Sequence, residues 1–113
     1  MINLYGIPNC GTVKKARAWL EENNIEYSFH NFKKEGLPEE NFNRWLKKLG
    51  WETLLNKRGM TWRKLDDSVK NKINEKNAIK IMHENTSIIK RPILENGTKL
   101  IIGFEENEYN QLS

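Results

Sequence analysis

The 113 residues, 37% hydrophobic and 30% charged, suffice for one domain with one modest core, and four Trp, four Phe and three Tyr supply its bulk. A formal charge of +4 favours anionic partners such as carboxylates, phosphates or thiolates. Lys14-Lys15, Lys33-Lys34, Lys47-Lys48 and Arg63-Lys64 are short pairs among acids, the pattern of solvated helix faces, so charge alone gives little support for nucleic-acid binding. No apolar run approaches membrane length, so no membrane partner is expected. The N-terminus runs straight into a strand without a leader pattern, and one cysteine cannot form an internal disulfide; both fit a cytoplasmic, reducing location.

Ile2 and Leu4 alternate with polar or amphipathic neighbours and predict a strand over Ile2 to Tyr5, broken by Gly6 and Pro8. Val13, Ala16 and Leu20 then repeat at helical spacing, widened by Trp19, and predict a helix from about Gly11 to Asn23. Ile25, Tyr27 and Phe29 alternate with Glu26, Ser28 and His30 as a second strand. This strand–helix–strand order implies a parallel pair with a right-handed crossover. Lys33 to Gly36 reads as a turn. Phe42, Trp45, Leu46 and Leu49 mark a helix opened by Pro38 and closed by Gly50. Trp51, Leu54 and Leu55 suggest a helical turn, Asn56-Lys57-Arg58-Gly59 a loop, and Trp62 with Leu65 another helical piece. Asp66-Asp67-Ser68 offers an N-cap before Val69 and Ile73, and Ala78, Ile79 and Met82 mark a helix ending near Glu84-Asn85. Ile88 to Leu94 reads as a strand, Asn96-Gly97 as a type I′ hairpin turn, Leu100 to Ile102 as the return strand, and Glu105 to Leu112 as a final helix. The expected fold is α/β: a thioredoxin-like β-α-β … β-β-α mixed sheet, a single domain over 1–113 with a helical insertion at about 37–85.

The only cysteine, Cys10, falls where a strand, a tight loop and a helix N-terminus meet. Unpaired amides and the positive end of the helix dipole favour a thiolate there. The alternative is a small buried hydrophobe. Asn9, Gly11 and Thr12 are expected to supply backbone N–H groups and a hydroxyl around the sulfur. Val13 stands where a Cys-x-x-Cys motif would have its second cysteine, so an outside thiol must complete any disulfide of Cys10. Pro92 heads the third strand, where a thioredoxin-like fold commonly places a cis proline facing the reactive cysteine; Arg91 could then bring its guanidinium to the thiolate. An ordinary strand-edge Arg-Pro is the other reading. Arg58, in its loop, has the commonplace setting of a surface basic residue. His30 and His83 lack metal-ligand spacing, so no metal is expected, and Trp45, Trp51 and Trp62 read as core rather than a base-stacking platform.

Three separated stretches, Leu4 to Thr12, Leu54 to Gly59 and Ile89 to Ile93, resemble the bacterial arsenate-reductase-like (ArsC/Spx) family. With Thr61 to Leu65, the resemblance is closest to the YffB-like subgroup, regarded as glutathione-dependent thiol reductases. The resemblance implies a thioredoxin-like fold, Cys10 as nucleophile, and Arg58 and Arg91 as anion-binding partners. It also implies glutathione, or another low-molecular-weight thiol, as co-substrate, with no bound cofactor. The substrate would be a disulfide or an oxyanion. Arsenate reductases carry a histidine where this chain has Gly6. They also have a further arginine near the last strand, where it offers only Lys99. Fewer cationic donors leave an arsenate oxyanion less well held. The Cys-x-x-Cys switch of many Spx regulators is not reproduced, although several of those regulators bind RNA polymerase, which makes that enzyme the alternative partner.

Overall fold

A computed structural model describes residues 2–112. The chain sorts into two compact units, one built from residues 1–35 and 91–113, the other from residues 36–90.

The first unit is a four-stranded mixed sheet ordered β2-β1-β3-β4. Its elements are β1 (Ile2–Gly6), α1 (Gly11–Glu22), β2 (Tyr27–Asn31), α2 (Phe32–Glu35), β3 (Ile93–Asn96), β4 (Lys99–Ile102) and α8 (Glu106–Tyr109). β1 runs parallel to β2 with Ile2 opposite Tyr27 and Gly6 opposite Asn31. It runs antiparallel to β3, which in turn pairs antiparallel with β4. This is the thioredoxin-like arrangement expected from the order of the elements. Ile2, Leu4, Ala16, Leu20, Leu94, Ile101 and Tyr109 form its core. Trp19 and Phe104 both meet the Tyr109 ring edge-on, at 5.5 and 4.9 Å. The Tyr109 hydroxyl has no hydrogen-bond partner among the described residues. Burial, then the neighbouring Glu108 carboxylate, push its pKa up.

Local chemistry explains where the sequence expectations shift. Strand two begins at Tyr27 rather than Ile25 because α1 ends in a Schellman turn. Asn24 takes a left-handed φ of 56°, its N–H reaches Glu21 O at 3.1 Å, and Ile25 N–H reaches Leu20 O at 2.9 Å. The expected turn over Lys33–Gly36 is instead the helical turn α2. The Asn31 side chain caps it, accepting from the N–H groups of Lys33 (3.0 Å) and Lys34 (3.2 Å), while Asn31 N–H donates to Glu35 at 3.2 Å. The strand expected from Ile88 starts only at Ile93: Thr86–Ile88 forms a 3-10 turn, and Pro92 has no N–H to donate to a ladder. The β3–β4 turn is displaced by one residue. Asn96 pairs with Lys99, so Gly97 and Thr98 are the central residues. Only Gly97 has a positive φ (62°), which is the pattern of a type II′ turn and not type I′.

The second unit is helical: α3 (Glu39–Leu49), α4 (Trp51–Leu54), α5 (Met60–Arg63), α6 (Asp67–Asn71) and α7 (Glu75–Glu84). Its buried residues include Phe42, Trp45, Leu54, Leu55, Ala78 and Met82. His83 is exposed on α7 and meets the Phe42 ring edge-on at 4.9 Å. Asp66 stands at the N-cap of α6 without a side-chain capping bond. Asn74 does cap α7, accepting from Asn77 N–H at 2.9 Å. Leu55 and Ile89 form an isolated antiparallel bridge.

Gly6 makes the closest approach in the first unit. A Cβ there would lie 2.8 Å from Val13 Cγ2 and 3.8 Å from Pro92 Cα. The end of β1, the first turn of α1 and Pro92 therefore meet across a residue with no side chain. Val13 is fully buried and β-branched, so it has little freedom to yield. Gly6→Ala is expected to cost about 1–3 kcal/mol in denaturant unfolding. Gly6→Ala/Val13→Ala should be less destabilised than the sum of the single variants by about 0.5 kcal/mol or more. Strict additivity would show that the clash is relieved elsewhere.

Candidate active site

β1 delivers the chain to a tight turn. Cys10 N–H bonds to Ile7 O at 3.1 Å, which makes Ile7-Pro8-Asn9-Cys10 a β-turn with proline at its second position. Cys10 is then the N-cap of α1, in extended backbone conformation, and its carbonyl accepts the Lys14 N–H at 3.0 Å. An N-cap side chain faces the amides two and three residues on, here Thr12 and Val13. The sulfur closes no capping hydrogen bond, yet both amides lower its pKa. The first turn of α1 contains no acidic side chain, so the positive helix end is left to the sulfur.

Arg91 completes the environment. The Arg91–Pro92 peptide is cis, Pro92 is buried, and Pro92 O accepts from Gly103 N–H at 2.8 Å. Arg91 lies beside Cys10, both as a charge and as a hydrogen-bond donor. Partial burial on its own would raise the thiol pKa. The Val13 amide, the Thr12 amide and the Arg91 guanidinium outweigh it, and the net shift is downward. The thiol is only half-buried, so a reactant can reach it.

The candidates divide. Cys10, the Thr12 amide and Arg91 act together, with Pro92 next to Arg91 in the chain. Asn9 and Gly11 flank the cysteine and are exposed; nothing lies within 4 Å of where a Gly11 Cβ would project. Arg58 belongs to the helical unit, in an exposed loop whose turn is set by Asn56 Oδ1 accepting its N–H at 3.1 Å. There it lines a depression of about 400 Å³ with Glu52, Leu55, Asn56, Lys57 and Lys90. Sequence reasoning missed the Val13 amide and the space kept by Gly6. The first was accessible from the N-cap rule once Cys10 was placed at the cap. The second had no sequence signal. Among the described residues, no group of three His, Cys, Asp or Glu side chains could hold a metal ion, and no helix is long and apolar enough to cross a membrane.

Sheet and site define a thioredoxin-like protein with one cysteine of lowered pKa at a helix N-terminus. The family model described as the ArsC family matches residues 5–112, and the chain belongs to that family. It is 45% identical over 109 residues to an uncharacterised protein of Haemophilus influenzae, spanning 96% of each chain. It is 31% identical over 110 residues to the global transcriptional regulator Spx 1 of Oceanobacillus iheyensis, covering 96% of this chain and 83% of that one. A solved structure of a protein named YFFB matches with a TM-score of 0.92 at 43% identity, over 98% of this chain and 97% of that one.

A thiol whose folded pKa lies below its unfolded value of about 8.5 adds stability that is full above that pH and lost as pH falls through the folded pKa. The melting temperature of the wild type should therefore rise relative to Cys10→Ser as pH is raised to about 8.5. Parallel melting curves across the pH series would contradict a stabilised thiolate.

Proposed function

We propose that the protein is a thiol–disulfide oxidoreductase that uses one nucleophilic cysteine and glutathione as the external reductant. The observation that supports this most is the arrangement around Cys10: two amides and a guanidinium act on a sulfur that solvent reaches. Arg58 is a further anion-binding residue in this reading, and Asn9, Gly11 and Thr12 shape the rim.

The Cys10 thiolate attacks one sulfur of a substrate–glutathione mixed disulfide. That S–S bond breaks, a Cys10–glutathione disulfide forms, and the substrate leaves as a thiolate that takes a proton from water. A second glutathione thiolate then attacks the glutathione sulfur of the adduct. Oxidised glutathione departs and Cys10 returns as a thiolate. Two electrons pass from glutathione to the substrate disulfide, and no second cysteine of this chain takes part. The amides and Arg91 stabilise the negative charge on the Cys10 sulfur, which raises the ionised fraction for attack and eases its departure as leaving group. The chemistry suits a reducing compartment such as the cytoplasm.

A second reading draws on the relatives named Spx, between 28% and 31% identical over 96% of this chain. Here the protein is a regulator that binds RNA polymerase, and Cys10 is dispensable for binding. Retention of the Cys10→Ser protein on purified RNA polymerase, with no thiol turnover by the wild type, would favour it.

Incubation with oxidised glutathione should give one adduct by intact mass, mapped to Cys10 and absent in Cys10→Ser. Arg91→Ala should form it more slowly at neutral pH, and the deficit should close at alkaline pH, where both thiols are ionised. Absence of an adduct in the native protein would overturn the reductase reading.

A further inference from the structure

β1 and β2 are parallel and end in register, Gly6 opposite Asn31, so the segments that follow them leave the same edge of the sheet. One is the turn Ile7 to Cys10; the other is α2. Between them lies a depression of about 320 Å³ lined by Ile7, Pro8, Asn9, Asn31, Lys33 and Lys34. Asn9, one of its lining residues, immediately precedes Cys10 in the chain.

The charge of this lining is one-sided. Lys33 and Lys34 are exposed and line it. The acid that follows them, Glu35, is not among the lining residues; its carboxylate accepts the Asn31 N–H at 3.2 Å and lies 3.7 Å from His30 Nδ1. Asn31 Oδ1 accepts from the Lys33 and Lys34 backbone N–H groups, which fixes the turn that presents both lysines. Ile7 and Pro8 add apolar lining. Two cations, apolar lining and amide side chains together suit a small peptide that ends in a carboxylate.

The geometry points to this depression as the carboxylate-binding subsite for the small thiol that exchanges with Cys10, with Lys33 and Lys34 as its specificity-determining residues. The inference rests on the reductase reading and deepens it. The lysines do not stabilise the Cys10 thiolate. They select a negatively charged thiol or disulfide over a neutral or cationic one, and their effect is screened by salt.

The test compares rates of adduct formation on Cys10, by intact mass, for three disulfides: oxidised glutathione (anionic), hydroxyethyl disulfide (neutral) and cystamine (cationic). The wild type should react in that order, relative to the rate of each disulfide with a free small thiol. In Lys33→Gln/Lys34→Gln the preference for oxidised glutathione over the neutral disulfide should fall roughly three- to tenfold, with the neutral rate unchanged. Added salt should erode the wild-type preference more steeply than that of the variant, which keeps Arg91. Adducts from all three reagents with the same preference in both proteins would overturn the subsite while leaving the reductase reading standing. No adduct from any of the three would overturn both.

Discussion

The sulfur of Cys10 sits at the N-cap of α1, where the Val13 and Thr12 amides and the Arg91 guanidinium all favour its ionised form. Partial burial works against the anion, and these donors reverse the balance. The cap position matters as much as the residue type. Within the helix the same cysteine would lose its two amides to carbonyl partners; one turn earlier, in β1, it would be a buried hydrophobe.

The arrangement is assembled from distant parts of the chain by the sheet. β1 pairs with β3 through Leu4–Leu94 and Tyr5–Ile93, which brings the segment before β3, and with it Arg91 and Pro92, to the end of β1. Gly6 leaves the space between Val13 and Pro92 free of a side chain: a Cβ there would lie 2.8 Å from Val13 Cγ2 and 3.8 Å from Pro92 Cα. A histidine at position 6, as the resemblance places in arsenate reductases, would begin with a Cβ 2.8 Å from Val13 Cγ2. This site and that residue are sterically at odds unless the first turn of α1 moves.

Much of this is legible in the amino-acid sequence. The change from two-residue to helical periodicity between Leu4 and Val13 located the strand–loop–helix junction, and the Asn-Gly pair located the last hairpin. The details that escaped have local causes. Schellman closure through Asn24 delays β2, Asn31 capping turns an expected loop into α2, and the missing N–H of Pro92 postpones β3. Each is set by one side chain or one backbone angle, to which periodicity is blind. The shared contact at Gly6 is less legible still, because a glycine advertises nothing about what fills the space beside it. Arg58 could be singled out only by resemblance, and its loop is ordered by Asn56 within the helical unit.

Everything proposed for the site depends on the lowered pKa of Cys10. Carbon-13 NMR of a protein labelled at the cysteine β-carbon, followed through a pH titration, reads that ionisation directly. The account predicts a midpoint clearly below the value of about 8.5 for an unperturbed thiol. A midpoint at or above it would contradict the account, because the Thr12 and Val13 amides and Arg91 would then be failing to offset the cost of burial.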